Sequence, residues 1–220
     1  MNKTVEVFKL SEDNLEQQIE AELLIPLDQY LASGVHIGTQ IKTKSMLPFI
    51  YRVRPDGLYV LDIKKTDERI RIAAKFIARY DPAEVVVVSA RQYGERPVER
   101  FCSITRTKCI AGRFIPGSLT NPEYKKFTEP KLLIATDPRA DAQAISEATS
   151  ARIPVIALCD TDNNAYNVDL IIPTNNKGRK ALSTIYWLLA RQILRERGEL
   201  ALDAEFPVKI EEFQTPIKIF

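Results

Sequence analysis

Three segments of the chain carry lysine and arginine but no aspartate or glutamate. They span residues 29–55, 100–122 and 170–195. Cations on loops suit contacts with phosphate, because each phosphate that they neutralise releases bound counterions. One such segment could be ordinary solvated surface, but three in one chain favour a polyanionic partner. The cations that we assign to phosphate contacts are Lys42, Lys44, Arg52, Arg54, Arg106, Lys108, Arg113, Lys177, Arg179 and Lys180.

The start of the last predicted helix, residues 176–197, gives the strongest local argument for a bound phosphate. Lys177, Arg179 and Lys180 lie in its first turn, where positive charge opposes the helix dipole. The stability of the helix therefore does not explain these cations. An anion held by them and by the free backbone N–H groups of the first turn would explain them.

The loop of residues 117–121 adds neutral donors. The side chains of Ser118, Thr120 and Asn121 can reach phosphate or sugar oxygens. The loop could equally use these groups to hydrogen-bond itself. In the first basic segment, the rings of Phe49 and Tyr51 could stack on unpaired bases, although packing of this loop onto the protein body is the stronger expectation.

Few residues could hold a metal ion or a cofactor. His36 is the single histidine, and the three cysteines show no C-x-x-C spacing. A zinc site and a disulfide framework are therefore not indicated. Neither of the common glycine-rich phosphate-binding motifs occurs. We expect no metal, no cofactor and no small-molecule substrate.

Acidic residues provide an alternative interpretation. Asp137, Asp141, Asp160 and Asp162 follow predicted strands and could line a pocket for metal-assisted or phosphoryl-transfer chemistry. Such a pocket, centred on Asp160 and Asp162, would suit a small flavodoxin-like enzyme or regulator. However, Asp137 fits better as the N-cap of a helix that begins at Pro138, and no catalytic lysine or histidine is evident nearby. We therefore expect a protein that is not an enzyme and keep the enzyme as the alternative.

Strands that alternate with helices must position these residues. Residues 85–88 and 132–135 are continuous apolar runs, which are typical of strands buried on both faces of a parallel sheet. Right-handed crossovers then give a doubly wound, flavodoxin-like α/β sandwich, in which the loops after the strands share one edge. After a strand candidate at residues 58–63, we expect a helix with Thr66 as its cap.

Length and charge divide the chain into a body and two arms. Its 220 residues suffice for one domain, which we place at residues 26–198. Residues 29–195 hold 26 Lys and Arg against 16 Asp and Glu, whereas the two ends together hold 5 against 13. We expect an acidic N-terminal extension at residues 1–25 and an acidic and apolar C-terminal tail at residues 199–220. The tail would either dock on a neighbouring protein or fold back on the body.

The sequence indicates neither a membrane span nor a secretory signal. Its apolar runs are far shorter than the roughly 18 residues that a span needs. Its first residues carry acids where a signal peptide would be apolar. An odd number of cysteines favours a reducing compartment, so we expect a cytoplasmic protein without a membrane partner.

Several motifs occur in an order that resembles one known family. Together they span about residues 24–197, and the ordered set resembles ribosomal protein S-two of the small ribosomal subunit, a relative of eukaryotic ribosomal protein SA. No single motif is decisive, but their order is highly specific. The motifs are GVHIG (34–38), KSMLPFIY (44–51), DGLYVLDIKKT (56–66), GRFIPGSLTN (112–121), IPVIALCDT (153–161) and IIPTNN (171–176).

The resemblance implies a parallel sheet of five strands and a structural role in translation without catalysis. Members of this family contact ribosomal RNA and neighbouring proteins on the solvent side of the small subunit, near the junction of its head and body. Bacterial members carry a long helical hairpin after the motif that ends at residue 121, whereas only residues 122–129 precede the next strand here. We therefore expect an archaeal-type member in the cytoplasm, as part of the ribosome.

Overall fold

The computed structural model describes residues 23–201 and 204–216. Its strands are β1 Ile50–Val53, β2 Tyr59–Leu61, β3 Val85–Ser89, β4 Lys108–Ala111, β5 Leu132–Ala135, β6 Val155–Cys159 and β7 Leu170–Pro173. Its α-helices are α1 Leu27–Ser33, α2 Ile63–Ala78, α3 Gln92–Thr105, α4 Ala142–Ser150 and α5 Arg179–Glu196. In this part of the chain, no helix combines the length and the apolar character that crossing a membrane requires.

The main sheet has five strands in the order β4-β3-β5-β6-β7, and every neighbouring pair is parallel. The three central strands β3, β5 and β6 are buried at every position. Their continuous apolar sequences are therefore explained by helices and loops on both faces. The predicted doubly wound α/β fold with a five-stranded parallel sheet is confirmed.

Two apolar cores lie on opposite faces of this sheet. One core packs α1, α2, α3 and α5 against the face that includes Val85 and Val87. The other packs the single helix α4 against the face of Val86 and Val88, since successive side chains of a strand alternate between faces. Segments outside the α-helices, among them the 3-10 helix Lys44–Phe49, complete this second core with Met46, Phe49, Leu61, Phe114 and Leu119. Parts of the first two basic segments thus take the place of α-helices on this face.

The prediction that Thr66 caps a helix is wrong. Helix α2 begins at Ile63, and the side chain of Asp62 caps it by accepting a hydrogen bond from the backbone N–H of Lys64 at 3.1 Å. Thr66 lies inside the helix, where its hydroxyl donates to the carbonyl oxygen of Pro173 at the end of β7, at 2.7 Å. The strand before α2 belongs to an antiparallel hairpin of β1 and β2 and lies outside the main sheet.

The prediction that Asp137 is the N-cap of a helix is also wrong. Helix α4 begins at Ala142, five residues later, and Asp141 precedes it. The segment between them forms a turn, in which the Asp137 carboxylate accepts a hydrogen bond from the backbone N–H of Arg139 at 2.9 Å. Pro138 therefore begins a turn rather than a helix.

The described part of the C-terminal tail folds back on the body. The ring of Phe213 is fully buried, and the indole N–H of Trp187 donates to the carbonyl oxygen of Val208 at 2.6 Å. Arg100 of α3 forms an ion pair with Glu212 at 2.6 Å. Most of the predicted acidic N-terminal extension lies outside the described residues, so the proposed limits of the domain and its arms stay a prediction.

Candidate nucleic-acid interface

The loop before the hairpin is held against the loop that follows β6. The backbone N–H of Thr43 donates to the carbonyl oxygen of Thr161 at 3.0 Å, and its hydroxyl donates to the carbonyl of Asn163 at 2.7 Å. The backbone N–H of Thr39 donates to Thr161 Oγ1 at 2.9 Å, across 122 positions of sequence. These bonds place the first basic segment at the carboxyl edge of the sheet.

Gly38 permits this close approach of the two loops. A Cβ atom at this position would lie 2.5 Å from Thr161 Cγ2 and 2.9 Å from the carbonyl oxygen of Tyr59. That carbonyl already accepts a hydrogen bond from the backbone N–H of Gly38 at 2.9 Å, so it cannot withdraw without loss of the bond. Only glycine fits here without displacement of a neighbour.

We expect the substitution Gly38→Ala to lower the free energy of unfolding by about 2 kcal/mol, because the added methyl group overlaps packed atoms. Urea denaturation of the purified chain measures this loss. Gly57→Ala is the matched control: Gly57 has a φ of 81° but no atom closer than 3.9 Å to the added Cβ, so we expect only backbone strain of about 1 kcal/mol. A smaller loss for Gly38→Ala than for Gly57→Ala would contradict the proposed overlap.

The hairpin segment presents most of its charged groups to solvent. Lys44 and Arg52 are exposed and form no ion pair within the described ranges. Lys42 is exposed as well, with its ammonium nitrogen 5.1 Å from the centre of an aromatic ring. Arg54 differs, because it forms an ion pair with Asp56 at 3.1 Å. Of the four cations predicted here, Lys42, Lys44 and Arg52 therefore have no carboxylate partner within this segment.

Apolar and aromatic side chains are exposed among these cations. Tyr51 is 70% exposed and Val53 is 54% exposed. The expected packing of this loop onto the body holds for Phe49, whose ring is buried in the second core, but not for Tyr51. Tyr51 therefore has the free ring face that stacking on an unpaired base needs.

Lys177 has two internal partners. Its ammonium nitrogen lies 2.7 Å from Asp162 Oδ1 and 3.2 Å from Asp160 Oδ2. Burial raises the pKa of Asp160, and the nearby ammonium group opposes this rise. A contact between Lys177 and phosphate stays a prediction, and it would have to compete with both carboxylates.

Helix α5 begins at Arg179, three residues later than predicted. The Asn175 side chain accepts hydrogen bonds at 3.0 Å from two successive backbone N–H groups, one of them that of Lys177, and so occupies donors that an anion would need. The guanidinium of Arg179 donates to the carbonyl oxygen of Thr215 in the tail at 3.0 Å. Of the three cations predicted at this helix start, the exposed Lys180 alone lacks a partner among the described residues.

The loop of residues 117–121 folds around a carboxylate of α4. The backbone N–H groups of Gly117 and Leu119 donate to Glu147 at 2.7 and 3.1 Å, and the Thr120 hydroxyl donates at 3.4 Å. Burial raises the pKa of Glu147. Hydrogen bonds from the side chain of Gln143, one turn earlier, and from this loop have the larger effect, so the pKa lies below its usual value. An ionised Glu147 thus holds the loop in place.

The remaining donors of this loop are bonded locally. Ser118 is buried, and its hydroxyl donates to the carbonyl oxygen of Ile115 at 2.6 Å. The side-chain oxygen of Asn121 accepts from the backbone N–H of Glu123 at 3.1 Å. Of the two alternatives for this loop, the geometry matches the one in which it hydrogen-bonds itself. Phosphate contacts of Ser118, Thr120 and Asn121 stay predictions.

Strand β4 divides the second basic segment between two edges of the sheet. Arg106 and Lys108 lie at its amino end, whereas Arg113 follows its carboxyl end. All three side chains are exposed, and Arg106 lies 3.9 Å from Glu199. Strand β4 is one outermost strand of the sheet, and β7 is the other. The loop before the hairpin contacts the loop after β6, the neighbour of β7, so Arg113 lies towards the opposite end of the strand order. The fold thus brings the hairpin cations and Lys177 to one edge but leaves Arg106 and Lys108 on the other.

Comparison with known proteins identifies the family. The family described as Ribosomal protein S2 matches residues 30–128 and 123–196. The chain belongs to this family. Small ribosomal subunit protein uS2 of Thermofilum pendens is 60% identical over 199 residues, which are 90% of this chain and 93% of that protein. The protein of the same name from Staphylothermus marinus is 58% identical over 197 residues, 90% of each chain. The resemblance drawn from the ordered motifs is confirmed.

In this S2-family chain, the acidic residues at the sheet edge are part of a buried hydrogen-bond network. Asp137 forms an ion pair with Arg91 and accepts from the Asn163 amide at 2.8 Å. Asp141 accepts from the backbone N–H groups of Ala90 and Asp137, and burial raises its pKa to about 6. Within residues 23–201 and 204–216, no group of histidine, cysteine, aspartate or glutamate could hold a metal ion. The enzyme alternative has no support from the family or from this arrangement.

Two further cations beside the hairpin escaped the sequence criterion. Lys65 donates to the carbonyl oxygen of Pro48, and the guanidinium carbon of Arg69 lies 5.4 Å from the centre of the Phe49 ring. Lys65 and Arg69 are four positions apart on α2. This helix also contains acidic residues, so it is not one of the three acid-free segments. Helical spacing would have shown that the cations share a face.

Proposed function

We propose that the chain is a structural constituent of the small ribosomal subunit and acts in translation by binding ribosomal RNA and neighbouring ribosomal proteins. The observation that carries this proposal is 60% identity, over nearly the full length of both chains, to a protein named Small ribosomal subunit protein uS2. We further propose that it lies near the junction of head and body on the solvent side and acts in the cytoplasm. It needs no metal, cofactor or small-molecule substrate for this role.

The hairpin surface, which we define as Lys42, Lys44, Tyr51 and Arg52, supports RNA contact. Its three cations are exposed at one edge of the sheet, and phosphate neutralisation by such cations is the main source of affinity for nucleic acid. The exposed ring of Tyr51 adds a flat apolar group, which suits an unpaired base. Lys180 extends the proposed interface, Arg54 would have to exchange Asp56 for phosphate, and Arg113 would make a separate contact at the other end of the strand order.

Co-sedimentation tests the ribosomal role. The tagged full chain, expressed in the cells from which it derives, should sediment with small subunits at about one copy per particle and remain bound in a low-salt wash. It should be absent from the fraction of free small proteins. A chain that stays at the top of the gradient, or that is removed at low ionic strength, would exclude the proposed role.

The single substitutions Lys180→Ala and Lys177→Ala should have different effects. Lys180→Ala should lower the slope of log affinity for ribosomal RNA against log salt by up to about 0.9, with little change in stability. Lys177→Ala should leave a buried Asp160 carboxylate without its cation, and we expect a loss of about 1 to 2 kcal/mol in the free energy of unfolding, less than for a fully buried pair.

Filter binding at several salt concentrations, together with urea denaturation, separates the two effects. Both substitutions remove one positive charge, so each is the control for the other. If Lys177→Ala lowers the salt slope as much as Lys180→Ala and leaves stability unchanged, Lys177 binds phosphate and its ion pairs with the two aspartates are dispensable.

A further inference from the structure

Two of the three cysteines are neighbours in space. Cys102 is buried in α3, and Cys109 is exposed in the edge strand β4. The thiol of Cys102 donates to the carbonyl oxygen of Lys108, the residue before Cys109, at 3.5 Å. Cys109 is paired in register with Val87, on the face of the sheet that packs against α3 and Cys102. The third cysteine, Cys159, is buried in β6 and is therefore an internal control.

The turn between α3 and β4 fixes the positions of the two cysteines relative to each other. Arg106 ends the helix in the left-handed conformation, with a φ of 60°, and so reverses the chain within a few residues. The hydroxyls of Thr105 and Thr107 lie 3.0 Å apart, and Arg197 donates to the carbonyl oxygen of Thr105 at 2.9 Å. The turn is thus fixed from inside and from the end of α5.

The two thiols differ in reactivity. Interaction with the Cys102 thiol lowers the pKa of Cys109 to about 7, against the opposing effects of burial and of the Glu99 carboxylate. Burial, followed by the interaction with Cys109, raises the pKa of Cys102 above the ordinary thiol value. Because the thiolate is the nucleophile, the exposed Cys109 reacts first and Cys102 stays a neutral thiol beside it. An accessible thiolate next to a second cysteine is the arrangement found in redox-sensitive proteins.

We propose that Cys109 and Cys102 are a peroxide-reactive pair that closes to an intramolecular disulfide. The Cys109 thiolate attacks one oxygen of a hydroperoxide; an S–O bond forms, the O–O bond breaks, and the leaving alkoxide or hydroxide takes a proton from water. Cys102 then attacks the sulfur of the sulfenic acid. An S–S bond forms, the S–O bond breaks, and the hydroxyl leaves as water with the Cys102 proton. The peroxide is reduced by two electrons and the thiol pair is oxidised by two.

The disulfide joins the end of α3 to the edge strand across a short loop. The exposed Cys109 side chain has room to rotate towards the Cys102 sulfur, as the bond requires. The bond does not depend on the ribosomal role proposed above, since every group that it needs belongs to this chain. Reduction by a dithiol restores the open form.

Treatment of the purified full chain with hydrogen peroxide tests the proposal. The number of titratable thiols in the unfolded chain should fall from three to one, and the mass should fall by about 2 Da, as expected for loss of two hydrogens. Peptide mapping should show Cys102 linked to Cys109 and Cys159 free. Three remaining thiols, or oxidation of Cys109 to a sulfinic acid without a link to Cys102, would overturn the proposal.

Two variants test the order of the steps. In Cys102→Ser the reaction should stop at the sulfenic acid of Cys109, which dimedone then labels; Cys159→Ser should form the disulfide as the parent chain does. The rate in the parent chain should rise with pH and level off above about 7, the pKa of Cys109. A rate that still rises towards pH 9 in the parent chain, or dimedone labelling at Cys159 instead, would contradict the assignment of Cys109 as the first site.

Discussion

Replacement of Lys42, Lys44 and Arg52 by alanine is expected to weaken binding of the purified chain to small-subunit ribosomal RNA by about 100-fold near 0.15 M salt. Each lost phosphate contact removes the release of bound counterions, which is worth about 0.9 in the slope of log affinity against log salt on a B-form duplex and about 0.7 on single strands. The slope of the triple variant should therefore fall by about 2 to 2.7. Titrations at several salt concentrations measure both quantities.

A control with the same change in net charge is available on the opposite face of the sheet. Lys75 of α2, Arg79 just after it and Arg96 of α3 are exposed cations, and both helices lie on the face of the sheet remote from α4. Their replacement by alanine removes three positive charges but should reduce the slope by less than about 1. If both triple variants lose the same affinity, RNA is attracted by net charge alone and the hairpin surface is not the interface.

Replacement of Phe213 by alanine is expected to lower the free energy of unfolding by about 3 kcal/mol, within the range for loss of a buried aromatic ring. Phe213 is fully buried although it lies in the C-terminal tail, outside the helices and strands of the sandwich. The same substitution should release the tail, because Phe213 is its one fully buried side chain within residues 204–216. Urea denaturation measures the first effect, and limited proteolysis of the free chain measures the second.

Glu211→Ala is the matched control for the tail. Glu211 lies with Phe213 in the short 3-10 helix Ile210–Phe213 of the tail but is exposed, so its loss should change stability by less than about 0.5 kcal/mol. The parent chain and the control should resist cleavage within residues 204–216, whereas Phe213→Ala should be cut there. Rapid cleavage of the parent chain would show that the tail needs a partner in order to fold back.

The amino-acid sequence by itself determined the architecture of the sandwich. Continuous apolar runs such as β3 require cover on both faces, and the alternation with amphipathic helices leaves a parallel sheet as the consistent arrangement. These are local patterns, which a single pass along the chain can read. The ordered motifs determined the family in the same way, because their identity and order need no three-dimensional information.

Helix boundaries were less predictable from local pattern. Asp62 and Asp137 are each followed by residues that suit a helix start, but Asp62 caps α2 and Asp137 does not cap α4. The difference lies in the partners of the two carboxylates. The Asp137 carboxylate accepts hydrogen bonds from Arg91 and Asn163, which lie 46 and 26 positions away in sequence. Such long-range bonds override a local capping preference, and no local pattern reports them.

Only the tertiary structure decided which predicted RNA-binding groups keep a free charge or a free donor. Lys177 is paired with carboxylates that lie on the loop after β6, and Thr120 is bonded to Glu147 on a helix 27 positions away. Lys44 and Arg52 look the same in sequence, yet they meet no such carboxylate in the described chain. A cation's identity is a property of its residue, but its neutralisation depends on which distant segment the fold brings beside it. That is set by the packing of the whole sandwich: the carboxylate of Glu212 lies 2.6 Å from Arg100 although the two residues are 112 positions apart in sequence.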